Sequence, residues 1–239
     1  MQRSRATLSD PVNVIIDVDD SHRVSGLLLK PPRATACFVF AHGAGAGMEH
    51  PSMASVADEL ATLGLASLRY QFPYMEKHSR RPDPPALCHA TIRAAVAEAA
   101  RLAPDLPLVA GGRSFGGRMT SQAQAIAPLA GVRGLVFLAF PLHPAKRPSV
   151  ERAQHLFDVG IPMLFVQGTR DDLASLELLD PLIEQLGGRA VLKLLQDADH
   201  SFHAPARTGR KDPELRSEAL QAMAAWVGSL QAAAAGSRS

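Results

Sequence analysis

The fold of this chain is constrained most by short apolar runs that alternate with helical patterns. Two strands are predicted at 12–16 and 24–29, and continuous apolar runs predict further strands at 37–41, 65–72, 106–110, 135–140, 163–167 and 190–195. Helical patterns lie between the later runs or after the last one, at 51–63, 85–102, 116–127, 175–186 and from 212 onward. Alternation after an initial hairpin predicts an α/β fold, with a mostly parallel sheet and helices on both faces.

Length and composition fit one such domain. The chain has 239 residues, of which 46% are hydrophobic and 20% charged, values typical of a globular protein with a sizeable core. No repeat or long linker divides it. We therefore expect a single domain over 1–239, with flexible ends at 1–11 and 232–239.

The distribution of charged and apolar residues limits which classes of binding partner we expect. The formal net charge is +2 and the charges are interspersed, so no basic stripe suggests a nucleic-acid partner. Neither a signal segment nor a run of eighteen apolar residues is present, so we expect a cytoplasmic protein that does not bind membranes. The expected partner is a small-molecule acyl substrate, and the expected assembly is a monomer or a homodimer.

A predicted strand-to-helix turn carries the strongest chemical motif. Residues 112–116 have the sequence Gly-Arg-Ser-Phe-Gly, which matches G-x-S-x-G. Glycines flank the serine because a sharp, strained turn brings strand and helix too close for Cβ atoms. A glycine-rich turn with a helix-capping serine is the structural alternative. The motif predicts Ser114 as a nucleophile.

A serine hydroxyl needs a base and a group that orients the base. Asp171 follows the strand at 163–167, and His200 follows the strand at 190–195. Both therefore fall at the carboxyl edge of the predicted sheet, as Ser114 does, and the chain order Ser, Asp, His is typical of serine hydrolases on α/β sheets. Taken singly, Asp171 also fits a turn acid and His200 a loop histidine.

The candidate acid and the candidate base each have a nearby residue of the same type that could take the role instead. Asp172 is an alternative to Asp171, but it lies further from the strand end and better suits the cap of the following helix. His203 is an alternative to His200, but it lies further into the loop. We therefore prefer Asp171 as the orienting acid and His200 as the base.

Acyl transfer also requires donors for the developing oxyanion, each contributing roughly 3–4 kcal/mol. The backbone N–H of Phe115 is one candidate. The second is expected from the loop after the strand at 37–41, where Gly43 and Gly45 allow tight turns and Ala44 is the preferred donor. His42 is expected to hold this loop by hydrogen bonds.

Substrate contacts are harder to assign. Arg113 and Arg69 lie near predicted strand ends and could bind a substrate carboxylate, although a structural role for both fits equally well. Gly43 is a further candidate contact. No cofactor is expected, because phosphate-binding glycine patterns are missing and the histidines and cysteines lack metal-ligand spacing.

With these residues placed, nearly the whole chain resembles the α/β-hydrolase superfamily. Segments 42–48, 69–74 and 111–118 resemble a small, lidless branch related to a chromatin-complex subunit. Dienelactone-hydrolase-like proteins are similar in size, but they use a cysteine where this chain has Ser114. The resemblance implies an eight-stranded sheet and a triad of Ser114, Asp171 and His200, and it implies no particular substrate.

The expected activity is hydrolysis of small acyl esters or thioesters through an acyl-enzyme on Ser114. A non-catalytic hydrolase-like scaffold is the alternative. Only about twenty residues connect the strands at 135–140 and 163–167, where lids usually enter, so we expect little or no lid. An open site buries little of a long acyl chain, at roughly 0.8 kcal/mol per CH₂, so short acyl groups should be preferred.

Overall fold

The computed structural model describes residues 10–236, with side chains through residue 233. The strands are β1 (Val12–Asp19), β2 (His22–Leu29), β3 (Ala36–Ala41), β4 (Leu65–Tyr70), β5 (Leu108–Arg113), β6 (Val132–Leu138), β7 (Met163–Gly168) and β8 (Ala190–Leu195). The α-helices are α1 (Pro51–Thr62), α2 (Pro73–Glu76), α3 (Pro85–Leu102), α4 (Phe115–Ile126), α5 (Leu176–Leu186) and α6 (Asp212–Gly236). Short 3₁₀ helices lie at Glu151–Asp158, Gly187–Arg189 and Ala206–Thr208.

All eight strands form one sheet in the order β1-β2-β4-β3-β5-β6-β7-β8. β1 pairs with β2, and β2 with β4, in antiparallel register, whereas every pair from β4 through β8 is parallel. The prediction of a mostly parallel, eight-stranded sheet after an antiparallel hairpin is confirmed. Because the parallel strands share a direction, the loops after β3, β5, β7 and β8 meet at one edge.

Helices cover both faces of the sheet, as predicted. On β3, Phe38 and Phe40 join the buried cluster formed with α1 and α6, whereas Cys37 and Val39 join the cluster formed with α3, α4 and α5. Side chains alternate across a strand, so a strand buried on both faces has a continuous apolar sequence. All six residues of β3 are buried.

Some boundaries differ from the sequence prediction. β5 was expected at 106–110, but its ladder with β6 continues through Arg113. Gly111 and Gly112 contribute no side chains to the strand pattern, which explains why the sequence signal ends early. Helix α2 was not predicted, since a helix this short has too few turns to produce a periodic pattern.

The predicted flexible ends lie mostly outside the described part of the chain. Residues 1–9 and 237–239 are not described, and α6 includes residues 232–236, which were expected to fray. Among the described helices, none combines the length and apolar character needed to cross a bilayer.

The connection between β6 and β7 packs against the helices of one face. Within it, the 3₁₀ helix Glu151–Asp158 buries Ala153 and Leu156 in the cluster that contains α4. We call residues 150–158 the strap. The sequence analysis expected little or no lid in this connection.

The centre of the sheet should dominate stability. Phe137 is fully buried on β6, and its ring lies 5.2 Å from that of Phe140 and 4.7 Å from that of Phe165. We expect Phe137→Ala to lower the free energy of unfolding by about 3–5 kcal/mol, because it removes apolar contacts and leaves a cavity. Ile126, which is 70% exposed, gives the control Ile126→Ala, whose effect should stay within about 0.5 kcal/mol. Urea titration of both variants tests this, and equal losses would contradict it.

Candidate active site

Ser114 occupies a strained turn between β5 and α4. Its φ is 48° and its ψ is −115°, a backbone conformation that costs a non-glycine residue about 1–3 kcal/mol. The Ser114 N–H donates to the carbonyl of Leu138, 3.0 Å away, on the neighbouring β6 strand. The turn is thus fixed to the sheet while the serine side chain remains partly exposed.

Glycines on either side of Ser114 allow this turn because β3 approaches closely. A Cβ atom on Gly112 would lie 2.4 Å from the carbonyl oxygen of Ala41, and one on Gly116 would lie 2.5 Å from that of His42. Real Cβ atoms do not come this close to backbone. The steric reason given for the G-x-S-x-G pattern therefore applies at both positions.

Three side chains from separate loops form a continuous hydrogen-bonded chain. His200 Nε2 lies 2.8 Å from Ser114 Oγ, and His200 Nδ1 lies 2.7 Å from Asp171 Oδ2. Asp171 is 5% exposed, whereas His200 is partly exposed. A carboxylate at Nδ1 fixes the tautomer in which Nε2 can accept the serine proton.

Neither competing neighbour belongs to this chain of contacts. Asp172 is exposed, and it does not cap α5, because the helix begins at Leu176 and its N-cap residue is Ser175. That part of the sequence interpretation is wrong: two residues separate Asp172 from the cap. His203 Nδ1 instead lies 2.9 Å from Asp212 Oδ1 at the start of α6.

Gln167 was missed by the sequence analysis. This fully buried residue of β7 accepts a hydrogen bond from Phe140 N–H through Oε1, at 2.9 Å, and donates through Nε2 to Asp171 Oδ2. Asp171 Oδ1 accepts from Leu173 N–H at 2.8 Å. Both carboxylate oxygens are therefore oriented by donors. A glutamine inside an otherwise apolar strand was the available signal.

The two arginines considered as substrate ligands contact backbone carbonyls. Arg113 Nη2 donates to His200 O at 2.8 Å, and its guanidinium carbon lies 5.0 Å from the ring centre of Phe202. Arg69 is 3% exposed, and its Nη1 donates to Met48 O at 2.9 Å. A buried guanidinium needs acceptors, and the backbone supplies one to each arginine, while Arg69 Nε stays a buried donor without a partner. These contacts favour the structural alternative for both residues.

The loop after β3 lies beside Ser114. A Cβ on Gly43 would lie 4.0 Å from Ser114 Cβ. His42 Nδ1 lies 2.7 Å from Gly43 O, and its Nε2 accepts from Phe72 N–H at 3.1 Å, so Nδ1 carries the proton and donates. Because a trans peptide is planar, this bond also fixes the direction of the Ala44 N–H.

The segment after β4 holds the same loop from the other side. Tyr74 Oη donates to Ala44 O at 3.0 Å, and Gln71 Oε1 accepts from Met48 N–H at 2.9 Å. Gly47 permits this approach, since a Cβ there would lie 2.7 Å from Gln71 Oε1. Segment 69–74 had been noted as a motif, but no role had been assigned to these side chains. Hydrogen bonds from both sides therefore hold the candidate oxyanion loop, residues 42–48.

Among residues 10–236, no group of three or more His, Cys, Asp or Glu side chains is arranged to hold a metal ion.

Comparison with known proteins agrees with this architecture. Residues 34–228 match the family described as alpha/beta hydrolase domain, which covers most of the chain. The protein belongs to the α/β-hydrolase family. The match includes all eight residues that the sequence analysis singled out for the site.

Solved structures share the fold of this α/β-hydrolase at low sequence identity. A dienelactone hydrolase from Anabaena variabilis has a TM-score of 0.70 and 23% identity, with 93% of this chain and 97% of that chain covered. A serine hydrolase without a lid from Xanthomonas campestris has a TM-score of 0.69 and 20% identity, with coverage of 91% and 95%. Est1E from Butyrivibrio proteoclasticus has a TM-score of 0.65 and 15% identity, with 89% of this chain and 99% of that chain covered.

Acid should destabilise this α/β-hydrolase through His42. Burial lowers the pKa of His42 to about 4, whereas an unfolded histidine has a pKa of about 6.5. Between these values the unfolded state binds a proton that the native state does not. Stability is therefore complete above about pH 6.5 and falls as the pH decreases, by about 2 kcal/mol from pH 6.5 to 5.

Urea unfolding of the wild type and His42→Gln at both pH values measures this contribution. The wild type should lose about 2 kcal/mol more than the variant, because glutamine does not titrate. Identical losses of unfolding free energy in the two proteins would show that proton binding to His42 does not differ between the native and unfolded states in this pH range.

Proposed function

We propose that this protein is a serine hydrolase that cleaves small acyl esters or thioesters through an acyl-enzyme on Ser114. His200 serves as the base and Asp171 as the orienting acid. The observation that supports this most strongly is the hydrogen-bonded chain from Ser114 Oγ through both nitrogens of His200 to Asp171, at 2.8 and 2.7 Å. Membership of the α/β-hydrolase family is consistent with hydrolysis.

In the first half-reaction, Ser114 Oγ attacks the acyl carbon while its proton passes to His200 Nε2. The carbonyl oxygen becomes an oxyanion and accepts hydrogen bonds from the N–H groups of Phe115 and Ala44. Phe115 is the first residue of α4, so its N–H has no acceptor within the helix. When the tetrahedral intermediate collapses, protonated His200 donates its proton to the leaving alcohol or thiol.

In the second half-reaction, His200 takes a proton from water as the water oxygen attacks the acyl carbon. Collapse of the second tetrahedral intermediate releases the carboxylic acid and returns the proton to Ser114 Oγ. Asp171 stays ionised throughout and stabilises the imidazolium. Its hydrogen bonds from Gln167 and Leu173 keep the carboxylate oriented toward Nδ1.

Short acyl groups are the expected substrates of a partly exposed Ser114. The strap packs onto α4 and leaves the serine partly exposed, so little apolar surface is available for a long chain. Among the structural relatives, one is a dienelactone hydrolase, and Est1E is known with ferulic acid bound. Small carboxylic esters are therefore the substrate class we propose.

A fluorophosphonate probe tests the nucleophile. We expect rapid labelling of the wild type and none of Ser114→Ala, read out by intact-mass spectrometry. Ser121→Ala is a matched control, because Ser121 Oγ also lies 2.7 Å from a histidine, Nε2 of His155, yet donates its own proton to Arg118 O. That variant should label like the wild type. A folded wild type that does not react would favour the non-catalytic scaffold.

Paired variants in the same assay test the base and the acid. His200→Ala should slow labelling by orders of magnitude, whereas His203→Ala should not, because His203 contacts Asp212 instead. Asp171→Asn should slow labelling far more than Asp172→Asn. A slow His203→Ala variant, or equal effects of the two asparagine substitutions, would contradict the assigned roles.

A further inference from the structure

Arg118 lies one helical turn beyond the proposed nucleophile. Its N–H donates to Ser114 O at 3.1 Å, the first hydrogen bond along α4. Four residues span about 6 Å along a helix, and helical side chains lean back toward the N-terminus. This lean favours a position of the Arg118 guanidinium toward the end of α4 that carries Ser114 and Phe115.

Arg152 lies on the strap, the segment that packs against the helix carrying Arg118. The strap is joined to α4 by His155 Nε2, which lies 2.7 Å from Ser121 Oγ. Residues three apart align on one side of a 3₁₀ helix, which places Arg152 with His155, and Arg118 neighbours Ser121 on α4. Consistent with this, the charge of Arg152 lowers the pKa of Arg118 beyond the larger effect of burial.

Neither arginine is neutralised within the described part of the chain. No carboxylate there forms an ion pair with Arg118 or Arg152. Arg118 Nε is a buried donor without a hydrogen-bond partner, although the residue as a whole is partly exposed. Two adjacent like charges with an unpaired buried donor are costly unless an anion binds. Arg113 and Arg69 each donate a guanidinium N–H to a backbone carbonyl, although Arg69 Nε is also a buried donor without a partner.

We propose that Arg118 and Arg152 form a subsite for a carboxylate at the end of the substrate's acyl chain. The proposal rests on Ser114 being the nucleophile and narrows the substrates to half-esters of short dicarboxylic acids. The acyl side is favoured because its carbonyl oxygen is expected at Phe115 N–H, the first amide of the helix that carries Arg118. Guanidinium groups bind carboxylates through paired, charge-assisted hydrogen bonds.

Two esters with acyl chains of five carbons each test the subsite. Mono-4-nitrophenyl glutarate and 4-nitrophenyl valerate have the same acyl length and differ in a terminal carboxylate. We expect the wild type to have a kcat/KM at least about tenfold higher for the glutarate ester. This ratio should fall about tenfold in Arg118→Gln and in Arg152→Gln, so a folding defect in one leaves the other informative. Arg133→Gln, which removes an exposed arginine from β6, should keep the wild-type ratio.

The outcomes separate this proposal from the proposed function. If valerate is cleaved as well as glutarate, or the ratio survives both substitutions, the subsite is wrong and the hydrolase stands. If neither ester is cleaved and Ser114 is not labelled, the hydrolase proposal fails, and calorimetric binding of glutarate then tests the subsite. Binding that is weakened about tenfold in both variants supports it, and absent or unchanged binding overturns it.

Discussion

The close approach of β3 to the turn between β5 and α4 is the constraint on which the site depends. Gly112 and Gly116 leave room for the backbone of Ala41 and His42, at distances no side chain would allow. That approach lets Ser114 adopt its positive φ, and it also brings Gly43 beside the serine. One steric requirement thus places both the proposed nucleophile and the candidate oxyanion loop.

Side chains near the sheet edge then fix the surrounding loops through hydrogen bonds to the backbone of those loops. Arg113 binds the carbonyl of His200, and Gln167 orients Asp171 while accepting from Phe140 N–H. The three proposed catalytic groups sit on separate loops, and such contacts restrict how those loops can move. In the proposed mechanism, these contacts would leave little ordering of the loops to be done in the transition state.

The sequence predicted the sheet and its helices well, because strands buried on both faces have continuous apolar sequences, which are recognised without any periodic pattern. It also brought Ser114, Asp171 and His200 to one edge, since chain order and strand direction alone determine that placement. The role of Gln167 and the hydrogen-bond partner of Arg113 could not be predicted. Each depends on which backbone atom of a distant loop comes within reach, and sequence spacing carries no such information. The boundaries of β5 were lost for a local reason, its two glycines.

The central claim is that Ser114 carries a covalent acyl group during turnover. Acid quenching during the reaction with 4-nitrophenyl acetate, followed by mass spectrometry of the peptides, measures this directly. The account predicts one acetyl group, located on Ser114, that disappears as the substrate is consumed and is absent from Ser114→Ala. Sustained hydrolysis by Ser114→Ala, or acetyl transfer to another residue at the rate of turnover, would contradict it.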